Sequence, residues 1–174
     1  MDGMSATPWL WNEIHDFFDT ADGSLPMIYV NYSDTRAVAA GYALLKKLAF
    51  VTYPESECFY SIPGDEERPL DSVSNPATLV VSGLAHPFHV IFGGISIGGA
   101  IIPDLGVFVF TDQLQLDYRM GADWGSKEVE ALFALLSQLA ALDPNGSLAL
   151  EDGVLPEVAD RFQLAWKKYS TDAA

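Results

Sequence analysis

Residues 92–103 read FGGISIGGAIIP and raise the possibility of phosphate chemistry. Glycine-rich loops bind phosphates when they join a strand to the N-terminus of a helix. This segment lacks the Gly-Lys-Ser/Thr end of a P-loop, does not match GxGxxG, and continues into a further apolar run. We therefore expect its glycines to bend or bulge neighbouring strands, and we do not expect a nucleotide site.

The segment HPFH at 86–89 places two imidazoles three positions apart. On a strand this spacing points the side chains to opposite faces, which makes them a poor half of a metal site. The other histidine and the single cysteine of the chain, His15 and Cys58, are far from His86 and His89 in the sequence. Carboxylates could complete a site, but no spacing requires it. We predict no metal and no cofactor.

The sequence contains no recognisable motif for nucleophilic or acid–base catalysis. No GxSxG elbow is present, and Cys58 lies in SECFYSI, a setting typical of a small buried side chain. Glu55 with Glu57, or Asp117 with Asp123, could form a glycosidase pair, but sequence does not determine the separation of their carboxyl groups. A chain with 24 Asp and Glu residues contains many such pairs by chance. We predict that the protein is not an enzyme.

Charge is the clearest signal in the composition. The 174 residues include 24 Asp and Glu against 9 Lys and Arg, for a formal net charge of -15. This charge repels nucleic acid and attracts a basic protein partner, although acidity also serves solubility alone. A single cysteine and a first segment without the basic start of a secretion signal favour a cytoplasmic protein. The uncharged run at 79–102 contains histidine, proline and many glycines, which favours buried strands over a membrane span.

Hydrophobic periodicity and turn residues predict the elements that would position these groups. Four helices are expected, beginning at Thr7 and Pro8, after a cap at Ser33 or Asp34, near Ser126 and near Pro156. Strands are expected at 27–32, 58–62, 79–82, 88–92, 95–102, 107–110 and 114–118. Short connections imply antiparallel neighbours. The prediction is one α+β domain over residues 1–174, with a mostly antiparallel sheet, helices packed on one face and helices at both termini.

The most distinctive segment is LQLDYRMGADW at 114–124, where an amphipathic strand ends in charged and aromatic residues. Tyr, Trp and Arg dominate the centres of protein interfaces, so we predict a partner-binding surface here. Its residues are Asp117, Tyr118, Asp123 and Trp124, with the loop acids Asp65, Glu66 and Glu67 as a second candidate. The alternative is packing, with Tyr118 in the core and Trp124 sealing the start of the next helix.

The order of these elements resembles a known family. A strand and helix at the start, a β-rich middle, the strand LDYRMGADW, the helix EVEALFALLSQL and the closing helix RFQLAWKKY are similar to immunity proteins of bacterial polymorphic-toxin and type VI secretion systems. The likeness covers roughly residues 27–169, and the most similar variant accompanies nuclease toxins of the restriction-endonuclease-like class. It implies a protein of bacterial competition that binds and neutralises a cognate toxin without catalysis. No catalytic or binding residue carries over.

Three functions stay open at this point. The leading one is an inhibitory binding protein whose partner is a toxin or effector protein, with no nucleic acid and no membrane as partner. The second is a small-molecule enzyme or ligand-binding domain, and the third is an adaptor or chaperone that loads a secreted effector. The sequence leaves a homo-oligomer open.

Overall fold

The computed structural model describes residues 7–53, 59–64 and 66–172. The helices in these ranges are α1 Pro8–Ile14, α2 Asp16–Asp19, α3 Arg36–Leu48, α4 Ala77–Val81, α5 Ser126–Ala140 and α6 Pro156–Asp172. The strands are β1 Met27–Asn31, β2 Val51–Tyr53, β3 Phe59–Ile62, β4 Glu66–Pro69, β5 Phe88–Gly93, β6 Ser96–Ile97, β7 Ala100–Ile101, β8 Leu105–Val109, β9 Gln113–Tyr118 and β10 Ser147–Leu150. A short 3₁₀ turn at Leu70–Ser72 lies between β4 and α4.

Six strands form one sheet in the order β10-β1-β9-β8-β5-β2, and each neighbouring pair is antiparallel. The first strand lies inside the sheet, where Ile28 pairs with Leu116 on one side and with Leu150 on the other. The hairpins β3–β4 and β6–β7 form two small separate sheets. The predicted α+β class with a mostly antiparallel sheet is confirmed.

The sheet has one buried face and one open face, because successive side chains of a strand point to opposite sides. On β9, Leu114, Leu116 and Tyr118 are buried, and the residues between them are partly exposed. The buried face and the apolar sides of the helices form one continuous core. We call the other side the open face, and its partly exposed residues include Met27, Tyr29, Asn31, His89, Ile91, Phe108, Gln113, Gln115 and Asp117.

One predicted strand, at 79–82, instead coincides with the end of helix α4, where residues 79–81 are helical and Ser82 is the C-cap. Two hydrogen bonds organise its first turn. The side-chain oxygen of Asn75 accepts the backbone N–H of Ala77 at 3.1 Å, and the hydroxyl of Thr78 donates to the carbonyl of Asn75 at 2.7 Å. A short apolar run fits a buried strand and a buried helix equally well, so these flanking contacts decide the outcome.

The predicted strand at 95–102 is a hairpin made of β6 and β7. Its turn residues, Gly98 and Gly99, have φ values of +60° and +83°, and a type I′ turn requires positive φ at both positions. The first predicted helix is likewise divided, into α1 and α2, at His15. Within the described ranges, none of the helices has the length and hydrophobicity needed to cross a bilayer.

Candidate partner-binding surface

The two aromatic residues of the predicted surface lie in the core. Tyr118 is 2% exposed and Trp124 is 3% exposed, and both rings pack on Phe18 with centroids 4.9 Å and 5.0 Å away. The Tyr118 hydroxyl donates to the carbonyl of Phe17 at 2.9 Å, and the Trp124 indole N–H donates to the carbonyl of Arg119 at 2.8 Å. Burial raises the pKa of the Tyr118 hydroxyl. These rings join α2 to the start of α5, so the packing alternative describes them and neither is available to a partner.

Asp117 lies on the open face and is held by a histidine two strands away. Nε2 of His89 on β5 donates to Oδ2 of Asp117 on β9 at 2.8 Å, although β8 separates the two strands. The carboxylate reaches across because its neighbour on β8 is Gly106, and a Cβ there would collide with the carboxylate. The role of Gly106 has no sequence signal, since only the register places it opposite Asp117.

The two histidines of the segment 86–89 lie in different surroundings. His89 is bonded to Asp117 and packs on Phe108, with ring centroids 4.3 Å apart, whereas His86 is exposed. Among the residues that the structure describes, no group of three or more His, Cys, Asp or Glu could hold a metal ion. Glu55, Glu57 and Cys58 lie outside the described residues.

Asp123 is exposed and lines an open cleft of about 420 Å³. Asp104, Arg119 and Glu128 also line this cleft, with Gly94 and the apolar segment 101–103 forming the rest of its wall. Glu128 accepts the backbone N–H of Gly125 at 3.0 Å and so completes the start of α5. Asp117, the other member of that predicted pair, does not line the cleft and is bonded to His89 on the open face.

The second predicted patch is a different surface. Glu66 and Glu67 are exposed on β4, which pairs only with β3 in the described chain. The Arg68 guanidinium donates to Glu66 at 3.0 Å, which compensates part of the charge of this patch. Asp65 lies outside the described residues.

Asp143 is a carboxylate that no sequence pattern distinguishes as a site residue. It is 6% exposed, and its Oδ2 accepts the N–H and hydroxyl of Ser33 at 2.7 Å and 2.8 Å and the N–H of Asp34 at 2.9 Å. Its Oδ1 accepts the N–H of Asn145 at 3.0 Å. These donors lower its pKa to about 2. Asp143 therefore anchors the start of α3 to the end of α5, and a carboxylate held this way is a weak base.

Comparisons with known proteins give no relative: no family model matches the chain, and neither a curated protein nor a solved structure matches it.

Proposed function

We propose that this protein is an acidic binding protein that neutralises a cognate toxin by direct contact, and that the toxin is a nuclease effector of a bacterial secretion system. The observation that carries the proposal is charge. The chain has a net charge of -15, from 24 Asp and Glu residues against 9 Lys and Arg.

A nuclease must present a cationic surface to its polyanionic substrate. A folded acidic domain can occupy the same surface, because its carboxylates take the place of the phosphates. Complementary charge of this kind speeds association and discriminates between partners more than it adds affinity. The association rate should therefore fall steeply as salt is added.

The cleft supports one alternative function. Its volume of about 420 Å³ lies within the range of small-molecule sites, and carboxylates of Asp104 and Asp123 face it. A small cationic ligand is the kind that these groups would select. Such a ligand, retained through purification and identified by mass spectrometry, would favour the ligand-binding alternative.

The test of the proposed function is co-expression with the protein encoded beside it. We expect that protein to stop growth when it is produced alone, growth to be restored when both are produced, and the pair to purify as a 1:1 complex. Binding without rescue of growth would support an adaptor instead. If the neighbouring protein is toxic and neither binding nor rescue occurs, the proposal is wrong for this pair.

A further inference from the structure

Two large apolar side chains are exposed beside the acidic cleft. Phe50 is 91% exposed and Ile101 is 64% exposed. Ile101 lines the cleft directly. Phe50 adjoins it through Gly94, which also lines the cleft and lies so close to Phe50 that a Cβ at this glycine would contact the Cβ of Phe50.

The backbone fixes this arrangement. The N–H of Phe50 donates to the carbonyl of Gly93 at 2.9 Å, which holds the residue before β2 against the end of β5. Gly94 has a φ of +72°, a conformation that favours glycine. The backbone of Phe50 is therefore held in place by a hydrogen bond while its ring is exposed. Exposed apolar groups next to polar ones are typical of binding surfaces.

We propose that Phe50, Ile101 and the carboxylates of Asp104 and Asp123 form one docking surface for a basic segment of a partner protein that also carries apolar side chains. The inference deepens the proposed function and rests on it for the identity of the natural partner. Phe50 and Ile101 supply apolar contact, and the two carboxylates receive arginine or lysine side chains.

Charge selects this occupant over the others. Asp104 and Asp123 are exposed, and Arg119 is the one cation among the residues described as lining the cleft. A second copy of a chain with a net charge of -15 would bring like charges together, and anionic lipid or nucleic acid would be repelled in the same way. A basic protein segment satisfies both the carboxylates and the apolar groups.

The carboxylate of Asp104 is also placed by the sheet. Leu105, the first residue of β8, pairs with Tyr118, the last residue of β9. Asp104, just before β8, and Arg119, just after β9, therefore lie at the same end of this strand pair. Oδ1 of Asp104 occupies the space above Gly93, where a Cβ would meet it. An Asp104→Asn substitution keeps this shape and removes only the charge.

The probe is a synthetic peptide in which arginine alternates with leucine, titrated into the isotope-labelled full chain and followed by NMR. We expect saturable binding, with the largest shifts at Phe50, Gly94, Ile101 and Asp123. Phe50→Ala and the pair Asp104→Asn/Asp123→Asn should each weaken binding about tenfold at low salt. The matched control is Glu157→Gln/Asp160→Asn, which removes the same charge from exposed positions on α6 and should weaken binding less than about twofold.

Three results would overturn the inference. The first is an absence of saturable binding, and the second is an equal loss in both charge pairs with shifts spread over the whole acidic surface. The third is a dimer of the free chain, seen by sedimentation, that Phe50→Ala dissociates, because the surface would then belong to a second copy. The peptide does not depend on finding the toxin. If the peptide binds at this surface but co-expression does not restore growth, only the proposed function is contradicted and the docking surface stands.

Discussion

Replacing Trp124 tests whether the segment LQLDYRMGADW acts through packing. Trp124→Ala removes a ring that is 3% exposed and lies 5.0 Å and 5.2 Å from the rings of Phe18 and Tyr118. Truncation of a buried aromatic residue of this size costs about 3–5 kcal/mol, because it loses apolar burial and leaves a cavity. For a chain of this length a loss of about 4 kcal/mol lowers the melting temperature by about 8–16 °C.

Two variants separate the contributions of the ring and its N–H group. Trp124→Phe keeps an aromatic ring beside Phe18 but leaves the carbonyl of Arg119 without its donor at 2.8 Å, so it should cost about 1–2 kcal/mol plus the smaller loss of volume. Phe50→Ala removes an aromatic ring that is 91% exposed and should change stability by less than about 0.5 kcal/mol.

Urea denaturation followed by far-UV circular dichroism gives the free energy of unfolding for all three variants. The reasoning is refuted if Trp124→Ala costs less than about 1 kcal/mol, or if it costs no more than Phe50→Ala. Either result would mean that the indole is not part of the core.

Gly106→Ala should cost about 1–3 kcal/mol in the urea midpoint analysis, because the new methyl group collides with the carboxylate of Asp117. The penalty should shrink in an Asp117→Ser background, and strictly additive effects would contradict this explanation. Gly98→Ala should lower stability by about 1 kcal/mol, because its φ of +60° is unfavourable for alanine while the space around it is open; an unchanged melting temperature would argue against the type I′ turn. Asp143 has a pKa of about 2 in place of the ordinary 3.8, so the stability it contributes is complete above about pH 4 and is lost as the pH falls toward about pH 2. Between about pH 4 and about pH 2 the urea midpoint should therefore fall less for Asp143→Asn than for the wild type. An equal fall in both proteins would contradict the stabilising role of the Asp143 carboxylate.

Much of the helical structure could be predicted because the patterns are long. The apolar residues Val129, Leu132, Phe133, Leu136 and Leu139 repeat at helical spacing, and all five are buried in α5. The short elements carried less information. Strands β2, β4 and β10 have three or four residues each, too few for an alternation to stand out.

The site was less predictable than the fold. Strand alternation correctly placed Leu114, Leu116 and Tyr118 on one face, yet composition favoured Tyr118 and Trp124 as interface residues because the same residue types occur in cores and at hot spots. Only the neighbouring ring of Phe18 distinguishes the two roles. The position of Phe50 beside the cleft depends on the close approach of Gly94, and no local pattern encodes a contact between residues so far apart along the chain.

The position of β1 inside the sheet, between β9 and the edge strand β10, has a consequence for folding. The two neighbours of this strand in the sheet are β9 and β10, and strands β2 to β8 do not pair with it. During synthesis β1 therefore has no sheet partner until residues 113–118 have emerged from the ribosome. Contacts of such long sequence separation slow folding, since the intervening chain must be ordered before they form. The hairpin of β8 and β9, joined by a short turn, can form first and then serve as the template onto which β1 docks, with β10 closing the edge last. The two backbone edges of a strand waiting in this way are exposed to pairing with other chains. Its few residues, Met27–Asn31, limit the length over which such mispairing can extend.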